Sequence, residues 1–303
     1  MLLATPDKCM IVVITNKAAG TGEGDRVTAI TEAFAGSGAT PSILEADGPD
    51  LTDTARKAIA SGARVVVAAG GDGTVNAIAT AVIESGAVLG VLPMGTLNHF
   101  AKDAGIPLEL PDAARAIVEG EAINVDVGTV NERIFLNNSS IGVYPLMVRE
   151  RDRQRSRLAR SKWWAMVRSS LALFRRFPTL TVGITADGRT SRCRTPAVLL
   201  GNNVYEFSSR GLGTRDALDA GRLGLYVVRS RTPWSALGLF VNALFRRLDA
   251  DGLCDVSTCQ AVTLEPQAAS LDVSLDGEVV KLQAPLEYGI RPKALRLIGV
   301  VAE

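Results

Sequence analysis

Two stretches of this chain carry residue types whose spacing could do chemistry. Residues 64–83 read RVVVAAGGDGTVNAIATAVI, in which a β-branched run delivers Gly70, Gly71, Gly73 and Thr74 to the start of an apolar helical pattern. Free backbone N–H groups at such a helix start, together with the helix dipole, favour phosphate oxygens. No lysine follows the glycines as in a Walker A loop, and Asn76 stands where a dinucleotide fingerprint would carry its third glycine. Asp72, an acid amid this anion-binding geometry, calls for a Mg²⁺ partner or a hydrogen-bonding task. Residues 92–107 read LPMGTLNHFAKDAGIP, and Pro93, Gly95 and Thr96 make a second polar turn after the next strand. Both turns lie at the carboxyl edge of a predicted sheet, where α/β proteins bind ligands. Asn98 reads equally as a helix N-cap or a nucleotide contact. His99 reads as a side chain near a helix start, since no partner acid is identifiable for it.

Other chemistries fall away. With one histidine and no G-x-S-x-G elbow, a Ser-His-Asp or Cys-His hydrolase has no base to use. Cys9, Cys193, Cys254 and Cys259 form no CxxC and no zinc set, which suits a reduced cytoplasmic setting. No run approaches 18 apolar residues, and the N-terminal MLLATPDKCMIVVITN lacks a basic region before an apolar one and reads as leading into a first strand. The 303 residues, 47% hydrophobic and 21% charged, are globular in composition and long enough for two domains.

The elements that must position these turns follow from periodicity. Strands are expected at 10–15, 41–44, 64–69 and 87–92, alternating with helices at 24–35, 51–61, 75–84, 98–104 and 111–119, the pattern of a parallel sheet with helices on both faces. After residue 123 the texture becomes paired strands and turns: 125–130 and 133–137 around Asn131-Glu132, and 179–186 and 191–200 around Asp187-Gly188-Arg189. Later strands are expected at 222–228, 261–264, 271–275, 279–283 and 295–301. The reading is thus an α/β domain over 1–128 and a mostly-β sandwich over 129–287, with residues 288–303 expected to pack back on the first. Helical insertions are expected at 149–177 and 232–248, the latter opening with Thr232-Pro233 as N-cap and first helical position.

The two glycine turns, taken together with other segments, resemble the diacylglycerol kinase catalytic-domain family of bacterial lipid kinases, related to sphingosine and ceramide kinases. The resemblance is carried by Asn16 with Ala19-Gly20, Gly70-Gly71-Asp72-Gly73-Thr74-Val75-Asn76, Pro93-x-Gly95-Thr96-x-Asn98-x-Phe100-Ala101, Asn137-Asn138-Ser139-Ser140-Ile141-Gly142, and Leu275-Asp276-Gly277-Glu278. The GGDG element alone is shared with NAD kinases and phosphofructokinases. The combination implies a nucleotide-binding α/β domain of phosphofructokinase or NAD-kinase type followed by a lipid-substrate β-sandwich, with ATP, Mg²⁺ and lipid meeting between them. It assigns nucleotide contacts to Asn16, Gly70, Gly71, Asp72, Gly73, Thr74, Asn76, Gly95 and Thr96, metal to Asp72 and Asp219, and catalysis to Glu278 as general base with Asp276 beside it. Without the resemblance, Asp276-Gly277 reads as a hairpin turn like the four other Asp-Gly pairs of the chain.

Two positions depart from the family pattern. The late Asp-Asp-Gly is Leu218-Asp219-Ala220-Gly221 here, so the second acid of a structural Mg²⁺ site is replaced by Ala220. Lys17 follows Asn16 where proline is common, adding either a phosphate-directed or a solvated cation.

The formal net charge of +1 conceals a basic segment. Residues 149–177 hold ten Lys or Arg against two Asp or Glu, a local +8, which leaves −7 on the rest of the chain. A charge run of this kind is usually a solvated face. With Trp163 and Trp164 and an implied lipid substrate, contact with an anionic membrane surface is expected, whereas no stacking motif or recognition fold supports nucleic acid. The expected protein is a cytoplasmic lipid kinase at the inner face of the membrane, acting on a diacylglycerol-like, ceramide or sphingoid alcohol. A NAD kinase-like enzyme and a non-catalytic nucleotide-binding membrane adaptor are the alternatives.

Overall fold

The computed structural model describes residues 10–17, 23–143, 145, 179–208, 211–215, 217–229 and 254–299. The expected helical insertions at 149–177 and 232–248, with Trp163 and Trp164, and the Ala19-Gly20 pair lie outside the described residues. The chain divides into two units, one of residues 1–127 and 292–303, the other of residues 128–291.

The first unit is built on β1 (Ile11–Asn16), β2 (Ser42–Ala46), β3 (Val65–Gly70) and β4 (Val88–Pro93), with α1 (Glu23–Ala35), α2 (Leu51–Ala60), α3 (Asp72–Ser85), α4 (His99–Asp103) and α5 (Leu110–Glu119). The strands are parallel in the order β2-β1-β3-β4. Every residue of β3 and β4 is buried, which is why VVVAAG and VLGVLP show no polar alternation. The chain steps from β1 outward to β2, then crosses back over β1 to β3. Right-handed crossovers therefore put α1 and α2 on opposite faces, and the helix contacts agree: α1 packs with α5, and α2 with α3. The reversal leaves a crevice beyond the carboxyl ends of β1 and β3.

The second unit contains the end of β5 (Glu121–Val130), then β6 (Arg133–Phe135), β7 (Asn138–Gly142), β8 (Leu180–Ala186), β9 (Arg189–Thr195), β10 (Ala197–Asn202), β11 (Glu206–Ser208), β12 (Gly211–Thr214), β13 (Leu223–Val228), β14 (Cys254–Cys259), β15 (Ala261–Pro266), β16 (Ser270–Leu275) and β17 (Glu278–Gln283). One sheet runs β14-β13-β10-β7-β16-β17. Another runs through β15, β8 and β9 beside the first residues of β18 (Leu286–Gly299). Inward residues of both, among them Ile141, Leu200, Val273, Val262 and Leu286, make one core. The last residues of β18 belong to the first unit, where Leu297 lies beside Leu89 of β4.

Several elements differ from the sequence expectation. The strand expected over 191–200 is two strands broken at Pro196, which has no N–H to give a ladder; Thr195 Oγ1 instead accepts the Ala197 N–H at 3.2 Å. The segment Asn138–Gly142 is a central strand despite its amide and hydroxyl side chains, because Ser139, Ser140 and Ile141 are all buried between β10 and β16. β14 was not expected at all; four of its six residues are exposed, so it lacks the buried alternation that marks a strand. β18 starts nine residues before the expected strand, running through Gly289 and Pro292, residues that usually end one.

Near the centre of the second core, Tyr288 meets Phe135 edge-on with ring centroids 6.2 Å apart, and its hydroxyl shares a 2.9 Å hydrogen bond with Ser139 Oγ. Burial pushes the Tyr288 phenol well above its ordinary value, so it stays neutral. Tyr288→Phe should leave the buried Ser139 hydroxyl unpaired and lower the stability of this unit by about 1–2 kcal/mol. A urea titration followed by circular dichroism and hydrogen exchange of β7 is the check; an unchanged midpoint and exchange rate would contradict it.

Candidate functional site

The two glycine turns are held together by backbone contact and one carboxylate. β3 ends at Gly70, and α3 starts at Asp72 with Gly71 as its N-cap residue in extended conformation. The helix begins three residues earlier than the sequence pattern suggests, so Asp72, Gly73 and Thr74 form its first turn. The first bond of its ladder runs from the Val75 N–H to the Gly71 carbonyl at 3.1 Å. The N–H groups of residues 72–74 therefore have no acceptor within the helix, and they lie at its positive end.

The second turn, after β4, lies against the first. The Met94 N–H donates to the Gly70 carbonyl at 3.0 Å. A Cβ on Gly95 would fall 2.4 Å from the Gly71 Cα, and a Cβ on Gly70 would fall 2.5 Å from Thr74 Oγ1. Gly95 is thus needed for the close approach of the two main chains, and Gly70 leaves room for the Thr74 side chain, independently of any ligand.

Asp72 spans the two turns. Its Oδ2 accepts the His99 N–H at 3.2 Å and its Oδ1 accepts the Phe100 N–H at 3.0 Å, so it caps α4 from a different element. Asn98 occupies the N-cap position of α4 with φ 50° and makes no capping bond. Its Oδ1 accepts the Gly95 N–H at 3.0 Å, and its Nδ2 donates to the Gly95 carbonyl at 2.9 Å, which closes the second turn on itself. The hydrogen-bonding task anticipated for Asp72 is thus visible, and Asn98, read as an N-cap or a nucleotide contact, makes no cap bond and braces its own loop. Thr96 and His99 are exposed, Asn76 is half-buried, and Thr74 is buried against Gly70.

Asn16 ends β1, neighbouring β3 in the sheet. Its carbonyl and that of Lys17, at 2.7 Å, accept hydrogen bonds from the guanidinium of Arg26 on α1. The Lys17 N–H donates to the Ala46 carbonyl at 2.9 Å, and its side chain is exposed. Arg26 is 6% exposed and went unnoticed in the sequence, because its partners are main-chain atoms that leave no residue-type signal.

In the second unit, Asp276 and Gly277 form the two-residue turn between β16 and β17, with φ of 48° and 87°. Positive φ at both positions is the hairpin geometry that Asp-Gly favours. Asp276 does more than turn the chain: its carboxylate accepts the N–H groups of Leu136 at 2.8 Å, Asn137 at 2.8 Å and Asn138 at 3.0 Å. Glu278 follows as the exposed first residue of β17. Asp219 is exposed next to Ala220, and Gly221 has φ 68°.

The donor chemistry of the α3 start fits phosphate. Among the described residues no three His, Cys, Asp or Glu side chains gather as a metal cage. A Mg²⁺ ion here would suit the mode in which one or two carboxylates complete a shell made by phosphates and water, with Asp72 as the acid at hand. No described helix is long and apolar enough to cross a membrane.

A family model described as the diacylglycerol kinase catalytic domain matches residues 10–130. A protein named probable lipid kinase YegS-like from Pseudomonas aeruginosa strain UCBPP-PA14 is 28% identical over 291 residues, covering 95% of this chain and 93% of the relative. An uncharacterized Synechocystis protein is 28% identical over 246 residues, 78% of this chain; the match spans about half, 55%, of that relative's length. The crystal structure of a diacylglycerol kinase from Bacillus anthracis strain Sterne superposes with a TM-score of 0.71 at 21% identity, over 97% of this chain and 98% of that one, a likeness of fold. Both glycine turns and the Asp72 brace lie within the matched residues, and it is over this stretch, residues 10–130, that the chain is similar to the diacylglycerol kinase catalytic domain.

Proposed function

We propose that the protein is an ATP-dependent lipid kinase that transfers the γ-phosphate to a hydroxyl of a diacylglycerol-like membrane lipid. The observation that carries this reading is the braced pair of glycine turns at the α3 start, set within residues that match a lipid kinase catalytic domain. In this reading the N–H groups of residues 72–74, with Gly71, Gly95 and Thr96, hold the phosphates, and Asn16 and Asn76 contact the nucleotide. ATP supplies the phosphoryl group, and Mg²⁺ offsets its charge. Phosphoryl transfer to an alcohol needs alignment, charge neutralisation and an acceptor for the hydroxyl proton. Glu278 is that acceptor, and the Asp276 turn fixes its place at the head of β17. Asp219 remains as the acid of a structural Mg²⁺ site that Ala220 has halved. The basic segment 149–177, with Trp163 and Trp164, is assigned to the anionic inner face of the membrane, where each basic residue contributes about 1 kcal/mol.

Radiolabelled phosphate from ATP should appear on a lipid alcohol when the protein is offered vesicles containing diacylglycerol, ceramide or sphingoid base. Transfer to none of them, or to NAD alone, would refute the reading. Glu278→Gln should lower turnover by about 10²–10⁴-fold while ATP binding stays unchanged, and wild-type turnover in that variant would remove Glu278 from its role. Asp72→Asn keeps one acceptor oxygen and turns an amide N–H₂ toward α4. It should cost about 1–3 kcal/mol locally, seen as faster hydrogen exchange at His99 and Phe100, and should weaken ATP binding; unchanged exchange and affinity would contradict the brace. Gly95→Ala, which drives a Cβ into the Gly71 backbone, should destabilise the first unit by about 1–3 kcal/mol and reduce nucleotide affinity by calorimetry.

A further inference from the structure

We infer that Arg215 is a positioning residue for the proposed proton acceptor, acting on the Asp276-Gly277-Glu278 turn through a single peptide group. Arg215 is 4% exposed, and its guanidinium lies 5.6 Å from the centre of the Tyr205 ring. Its Nη1 donates to the Leu136 carbonyl at 2.7 Å and the Asn202 carbonyl at 2.9 Å, and its Nη2 donates to Asn137 Oδ1 at 3.1 Å. Asn202 adds to the same anchor: its Nδ2 donates to the Leu136 carbonyl at 3.0 Å, and its N–H donates to the Asn137 carbonyl at 2.9 Å.

The peptide joining Leu136 to Asn137 thus has a cation on its oxygen. Its N–H, at the opposite pole, donates to Asp276 Oδ1 at 2.8 Å. A peptide dipole is negative at oxygen and positive at N–H, so the guanidinium and the carboxylate each polarise it in the sense that strengthens the other's hydrogen bond. Two charges of opposite sign are coupled through one peptide group. The Asp276 N–H also donates to the Asn138 carbonyl at 2.9 Å, which ties the turn to the same segment from its main chain. Asp276 holds a left-handed conformation at φ 48°, sparsely populated for a residue with a side chain. What fixes its carboxylate therefore fixes the turn, and the next residue is Glu278. This inference rests on the kinase reading for its functional consequence but not for the coupling itself.

The test compares Arg215→Met, Arg215→Lys, Asp276→Asn and the Arg215→Met/Asp276→Asn double variant of the full chain. Hydrogen exchange at the amides of residues 136–138 reads the coupling, and steady-state kinetics with ATP and a lipid acceptor reads its effect. Arg215→Met should speed exchange at Asn137 and Asn138 by about tenfold or more. Per folded molecule, counted by ATP-binding stoichiometry because loss of folded protein alone also lowers apparent kcat at constant KM, it should lower kcat about 10–100-fold with KM for ATP nearly unchanged. Arg215→Lys, which keeps the charge without the planar fork, should recover part of that loss. The double variant should be no slower than the worse single one, because both residues act through the same peptide. Unchanged exchange in Arg215→Met, or losses that multiply in the double variant, would overturn the inference. Should Arg215→Met fail to fold, Arg215→Lys and Asp276→Asn make the same comparison. Should the wild type phosphorylate no lipid alcohol, the kinase reading falls, and exchange in the variants alone decides whether the coupling stands.

Discussion

A carboxylate accepting main-chain N–H groups from a distant segment is the interaction on which each half of this molecule depends. In the first unit Asp72 takes two such groups from the start of α4; in the second, Asp276 takes three from residues 136–138. Both acids sit at the sharpest turn of their neighbourhood, one opening a helix after a buried strand and the other in a left-handed hairpin position. Hydrogen bonds to an ionised acceptor are roughly twice as strong as neutral ones. A short side chain with two oxygens can therefore hold a loop that packing alone would leave free.

The glycines serve the same end by omission. Gly95 brings its main chain so close to that of Gly71 that a methyl group on Gly95 has no room, and the Met94-to-Gly70 hydrogen bond joins the same two turns. The sequence shows glycines after strands and suggests an anion cradle. The structure adds that part of the glycine content is a packing requirement between the turns. Under the proposed function, phosphate binding and loop packing draw on the same residues, so a substitution there is expected to affect both.

How far the residues announced all this varies from element to element. The parallel sheet was legible because β3 and β4 are unbroken apolar runs between helical patterns, and the Asp-Gly turns because positive φ demands such residues. The start of α3 was placed late because Asp72 and Gly73 are weak helix formers, although the turn they make is what presents the N–H groups. The break at Pro196 and the length of β18 differ from expectation, and Asn138–Gly142 carries no strand signal, because local preference gives way to pairing with neighbours far along the chain. Arg26 and Arg215 carry no signal: apart from the Asn137 side chain, the acceptors given above for them are main-chain carbonyl oxygens, which every residue possesses. Asp187 illustrates the ambiguity of the acids. It too occupies a positive-φ Asp-Gly turn and accepts the N–H groups of Gln260 and Ala261 at 3.0 and 3.2 Å, yet its surroundings are exposed.

The course of β18 has a consequence for biosynthesis. Its residues 292–299 complete the first unit, but they leave the ribosome only after the whole of the second unit, which is nested within the first. Until then β4 presents an open hydrogen-bonding edge on a fully apolar strand, the kind of edge that recruits other chains. The nascent chain is most exposed to aggregation during that interval, and a ribosome stalled before residue 292 would release a sheet with its flank uncovered.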